Sequence, residues 1–98
     1  AFFGDMANKI LADIRFGKAF IGANAVKEDR IMTATLAEGT TQQIALHNSS
    51  ERYLLVDSSK LDCEDFYTFF SLNKLTALIT DQTDAEFNKS ISATIPIY

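Results

Sequence analysis

Ninety-eight residues, 47% hydrophobic and 22% charged, supply apolar surface for one domain and too little for two. A net charge of -4, from 13 acids against 9 bases with no basic run, excludes this segment as the part that grips nucleic-acid phosphates. No apolar run approaches the ~20 residues of a membrane span, and no basic-then-apolar leader opens the chain. The lone cysteine, Cys63, cannot close an internal disulfide, which predicts a reducing, cytoplasmic setting. The chain opens on Ala1 rather than methionine, so it is expected to be a piece of a longer protein.

In chain order, Gly4-Asp5 and then MANKILADI place Met6, Ile10, Leu11 and Ile14 at helical spacing, a one-sided helix that Gly17 is expected to end. KAFIG reads as a strand from Lys18 to Gly22; its apolar residues are consecutive, as in a strand covered on both faces. Asn24 to Thr35 has no period, and Glu28, Asp29 and Arg30 predict a solvated loop. Leu36 to Asn48 predicts a second helix, and RYLLVDSSK a second strand. Cys63 to Phe70 holds Phe66, Tyr67, Phe69 and Phe70, too aromatic for an exposed loop and expected in the core or at a subunit contact. Leu72 to Leu75 reads as a turn of helix and TALITD as a third strand. DAEFNKSI reads as a last helix, and ATIPIY as a fourth strand that Pro96 puts at an edge. Helix and strand alternate with helix-sized gaps, which predicts an α/β fold: a partial parallel sheet flanked by helices.

In such sheets ligands sit beyond the carboxyl ends of the strands. Three strands here end on polar groups: IGAN, DSSK and TD. Lys60, an ammonium beside Ser58 and Ser59, can meet a phosphate or carboxylate; the plainer reading is a solvated lysine after a strand. Asp57 can orient Lys60 or a sugar hydroxyl, or simply cap the turn. Gly22, Ala23 and Asn24 offer a close backbone approach and an amide. Glu38 and Gly39 open the second helix, where a carboxylate favours the dipole and can also reach a ligand hydroxyl. His47 has no second histidine or cysteine at metal spacing and reads as structural, and Cys63 has no base partner. No glycine-rich phosphate loop is present. No cofactor and no metal are expected.

The stretches AFFGDMANKILADIRFGKAFIGANAV, TLAEGTTQQIALHNSSERYLLVDSSK and LTALITD, in that order, closely resemble the C-terminal effector domain of the DeoR family of bacterial transcriptional repressors. The resemblance covers nearly the whole chain. It implies a fold like that of ribose-5-phosphate isomerases, whose D-x-S-K run Asp57, Ser59 and Lys60 match. It also implies a phosphorylated sugar as effector, and release of operator DNA held by a separate N-terminal winged helix-turn-helix. For lactose-type members the implied inducer is tagatose 6-phosphate. The winged helix-turn-helix and the first half of the effector domain would precede Ala1, leaving residues 1–98 as the second half. Missing strands would leave apolar faces uncovered, so pairing with another copy is expected. No membrane partner is implied.

This chain departs from the isomerases at one telling place. Where they carry an Asp-Gly-x-Asp run, it has Ile21, Gly22, Ala23 and Asn24, and an asparagine amide cannot move a proton. Gly17 and Ala25 also stand where the repressors tend to have aspartate and glycine. The first expectation is therefore a sensor and not an enzyme: Lys60, with Ser59 beside it, and the helix start at Glu38 and Gly39 take the charged group, Gly22 lets the ligand approach, and Asn24 and Asp57 read hydroxyls. The alternative is a piece of a sugar-phosphate isomerase or deaminase with Glu38 as base and Lys60 as phosphate holder.

Overall fold

β1 (Phe16–Ile21), β4 (Ser49–Leu55) and β6 (Ala77–Ile79) lie side by side, all parallel, in the order β1-β4-β6. The computed structural model describes residues 5–81 and 95–98. At the far edge Ile97 bridges Leu78 in parallel: the Leu78 N–H donates to the Pro96 carbonyl, and Thr80 N–H to Tyr98. Proline has no N–H to lose there, which suits an edge. The expected last helix, DAEFNKSI, lies outside the described residues.

Burial alternates from Ala19 to Ile21 and from Leu54 to Leu55, so one side of β1 and β4 is drier than the other. Leu54 and Leu78 are fully buried, with Ala19 and Ile21 packed against the core they belong to. Phe20, by contrast, is 60% exposed and stacks on Tyr53 with ring centroids 4.9 Å apart. The expectation that β1 is covered on both faces is thus corrected. It is an edge strand among the described residues, and its outward side chains meet water.

The expected loop from Asn24 to Thr35 is a hairpin. β2 (Ala25–Lys27) pairs antiparallel with β3 (Arg30–Thr33), and β5 (Tyr67–Ser71) joins on the other side. The turn succeeds without glycine. Glu28 takes φ 55°, and the Asp29 carboxylate accepts from the Ser71 hydroxyl and from the Asn73 N–H at 2.9 Å. No period marks these strands because Ala25, Val26, Ile31, Met32 and Thr33 are all buried, on both faces. The aromatic stretch is β5: Phe69 is in the core, whereas Phe66 is 77% exposed.

α1 (Asp5–Ala12) stops before the glycine expected to end it, because Asn48 reaches over and donates to the Leu11 and Ala12 carbonyls at 2.9 and 3.1 Å. Gly17 lies inside β1. α2 (Leu36–His47) follows the sequence expectation: Thr35 caps it by accepting the Glu38 N–H at 3.2 Å. The helix packs against both sheets. Gly39 is where it comes closest, since a Cβ there would lie 2.5 Å from the Tyr67 ring.

Candidate functional site

Beyond the carboxyl ends of β4 and β6 opens a cleft of about 440 Å³, lined by Leu55, Val56, Asp57, Ile79, Thr80 and Asp81. The Val56 N–H donates to the Ile79 carbonyl at 3.1 Å, so pairing continues to the rim. There β4 leaves the sheet. Asp57 is extended, and Ser58–Lys60 form one tight turn closed by the Lys60 N–H on the Asp57 carbonyl at 3.0 Å.

Two further contacts fix this turn. Behind it, Leu61 is buried and bridges Val26, and the Cys63 N–H donates to the Val26 carbonyl at 3.2 Å. In front, the Ser58 N–H donates to the Asp81 carboxylate at 2.7 Å. Asp57 makes no cap bond to the turn; its carboxylate accepts the Ser59 hydroxyl. The Ser58 N–H holds the Asp81 carboxyl below the usual aspartate range. Lys60 is half-buried, and its ammonium makes no ion pair among the described residues.

The remaining sequence-predicted residues are placed as follows. Gly22 is exposed just past β1, where an added Cβ would sit 3.7 Å from the Leu55 carbonyl, at the edge of the cleft. Its own carbonyl accepts from the Gln42 side chain at 3.1 Å, and the Gln42 Oε1 is buried without a hydrogen-bond partner among the described residues. Asn24 is exposed, and its backbone N–H donates to Met32 at 3.1 Å, at the start of the hairpin. Glu38 accepts from the buried Thr33 hydroxyl at 3.1 Å, and Gly39 is buried against Tyr67. The structure therefore brings Asp57 into the cleft lining, with Gly22 at its edge and Ser59 and Lys60 on the adjoining turn. Glu38 and Gly39 lie against the antiparallel sheet, and Lys60 and Asn24 are not among the lining residues.

Asp81 and Gln42 are the two residues that site reading from sequence overlooked. Asp81 had a signal, the polar end of TALITD. Gln42 had none, since nothing in a helical glutamine says which carbonyl it will meet. A second hollow, about 350 Å³, lies where α1 and α2 end, lined by Ala12, Gln43, Ile44, His47 and Asn48. Among the described residues no helix is long and apolar enough to cross a membrane, and no three His, Cys, Asp or Glu side chains gather as metal ligands.

The family model for the DeoR C terminal sensor domain matches residues 1–82. The chain belongs to this family. Every residue lining the strand-end cleft falls inside that match, so the cleft is part of the DeoR sensor domain proper. The chain is 47% identical over 97 residues to a lactose phosphotransferase system repressor of Staphylococcus aureus, and the match takes in 99% of this chain and 39% of that protein. Proteins of the same name from Staphylococcus epidermidis and Streptococcus mutans are 43% and 42% identical, over 99% and 94% of this chain. The chain thus spans about two fifths of the length of these relatives.

Proposed function

We propose that this stretch of a DeoR sensor domain is part of the effector-binding region of a transcriptional repressor of lactose genes, and that its strand-end cleft receives a phosphorylated sugar. Tagatose 6-phosphate is the inducer the lactose-type resemblance implies. The observation that carries the reading is the D-x-S-K turn. It is pinned beside a cleft at the carboxyl ends of parallel strands, and its lysine ammonium has no ion pair among the described residues. An ammonium so placed is available to an anion. The likeness of this run to ribose-5-phosphate isomerases extends the proposal to the fold: the sheet is taken as part of an isomerase-like domain whose other strands lie outside this chain.

From the turn beside that cleft Lys60 reaches the charged end of the sugar, Asp57 reads hydroxyls with Ser59 beside it, and Gly22 lets the ligand approach the backbone. Asn24, Glu38 and Gly39 stay in the proposal as residues that come to the ligand from beyond the described cleft lining. Binding and not turnover is the role. IGAN supplies no carboxylate at the end of β1, and Glu38 is engaged by the Thr33 hydroxyl. The amide at the end of β1 cannot move a proton, which favours binding over turnover.

Release of DNA follows from differential affinity. In the full-length protein the sugar binds one arrangement of a homo-oligomer more tightly than the other, and only the disfavoured arrangement spaces two winged helix-turn-helix regions for the operator. Operator contact belongs to that separate region, since the present segment is acidic. Such a repressor works in the cytoplasm.

The deciding experiment is operator release by the full-length protein. Lys60→Ala should hold operator DNA as tightly as the parent and fail to let go when tagatose 6-phosphate is added. Release at the parent's sugar concentration would remove Lys60 from the site.

A further inference from the structure

Behind, the three-residue turn is anchored by buried Leu61 and by the Cys63 N–H on the Val26 carbonyl; in front it is tied by Asp81. Ser58–Lys60 closes with one backbone bond at 3.0 Å and a second, from the Leu61 N–H to the Ser58 carbonyl, at 3.3 Å. The residue at its head usually supplies a side-chain oxygen to the second or third N–H. Asp57 makes no such bond; its carboxylate accepts the Ser59 hydroxyl. The first N–H, that of Ser58, is met from another strand, by the Asp81 carboxylate at 2.7 Å.

The register explains how. Leu55 is the register partner of Ile79, and the Val56 N–H donates to the Ile79 carbonyl where the β4–β6 ladder ends. Ser58 and Asp81 each lie two residues further on, so the Asp81 side chain takes the place of the next backbone acceptor after the strands part. Such a bond, between an N–H and an ionised carboxylate, is shorter and stronger than a neutral one. The lowered carboxyl pKa of Asp81, caused first by this N–H, agrees with it.

We propose that Asp81 is a positioning residue of the sensor: by accepting the Ser58 N–H across the mouth of the cleft, it fixes the turn that presents Ser59 and Lys60 to a sugar phosphate. The claim about the ligand rests on the proposed function; the claim about the turn does not. Asp81 acts through the turn and not by its own charge on the ligand, so another acceptor of the same reach should serve in its place.

The test uses the full-length repressor, with tagatose 6-phosphate as probe and Ser58 amide exchange as a second readout. Asp81→Ala should raise the sugar concentration for half-release by about tenfold or more, the usual worth of a hydrogen bond to a charged group. Ser58 exchange should speed up alongside. Asp81→Ser, whose hydroxyl falls short of the N–H, should behave the same way. Asp81→Asn keeps a carbonyl at the right reach and should restore both slow exchange and most of the response. A parent-like response in the alanine variant would overturn the proposal. So would equal loss in the alanine and asparagine variants, which would put the carboxylate on the ligand itself. If the parent ignores the sugar, the functional reading falls and exchange alone decides. Ser58 protection lost in alanine and kept in asparagine would uphold the turn's dependence on Asp81, and unchanged protection in alanine would end it.

Discussion

In the antiparallel sheet Ala25, Val26, Ile31, Met32, Thr33 and Phe69 are all buried, and the strands are covered on both faces. In the parallel sheet Leu54, Ala77 and Leu78 are buried, while Phe20 and Leu55 stay 60% and 45% exposed and the strand ends are polar. The contrast separates two duties. The first sheet, covered on both faces, and the helix upon it share one core with Leu54 and Leu78 of the second. The second supplies the cleft, at strand ends where little apolar area depends on which residue is present. Damage to the two should therefore register on different instruments.

The largest expected effect is Phe69→Ala, at about 3–5 kcal/mol of lost stability in a denaturant titration, since the ring is fully buried between the hairpin and the helix. A loss under about 1 kcal/mol, the ordinary range for surface changes, would break the comparison outright. Gly39→Ala comes next. Helix propensity alone favours alanine by about 1 kcal/mol. Against that, the new methyl would lie 2.5 Å from the Tyr67 ring and 3.2 Å from Phe69 Cβ, and overpacking of this kind costs about 1–3 kcal/mol. The denaturation midpoint should fall, and a Tyr67→Ala background should reverse the sign of the alanine effect. Lys60→Ala, on the other sheet, should leave the midpoint nearly unmoved while the sugar response goes. That outcome would sharpen the division most.

The smallest effect is a pH dependence that each sheet shows at its own clasp. Glu64 bridges Lys27 at 3.4 Å and Arg30 at 3.3 Å across the hairpin, and Lys27 first, then Arg30, holds its carboxyl below the usual range. A carboxyl lowered in the folded state adds stability that is present above its ordinary value of 4.5 and is lost as pH falls through the folded value. Glu64→Gln should accordingly flatten part of the acid-side fall in stability, modestly, because the pair is solvent-exposed. Asp81 has the same sign for a different reason, its bond from Ser58. Denaturation at pH 7 and pH 3 on Glu64→Gln and Asp81→Asn would show whether the two clasps act independently.

What the sequence makes legible follows from period and contrast. α2 is readable because an early acid, Glu38, agrees with the apolar members Leu36, Ile44 and Leu46, and the strand ends because IGAN, DSSK and TD pass from apolar to polar. The hairpin is not, for two reasons. Its strands are buried on both faces and so show no alternation, and its turn puts glutamate at positive φ, where asparagine or glycine would have announced it. The end of α1 is hidden for a third: its cap is Asn48, which comes from 36 residues further along the chain. At the site, DSSK announces itself as a motif. Its dependence on Asp81 is a contact between strands whose register no single stretch encodes.

The order β1-β4-β6, continued by residues 95–98, runs across the sheet in the sequence in which the strands are made. Parallel neighbours are joined almost without exception by right-handed crossovers. Among the described residues the Phe20–Tyr53 stack lies uncovered on the back of this sheet, 60% exposed at Phe20. Each large apolar side chain enclosed there would add about 1.5–3 kcal/mol. The melting behaviour of these 98 residues thus depends on their company: a second layer laid over that back would raise it, with no change to a single contact in the existing core.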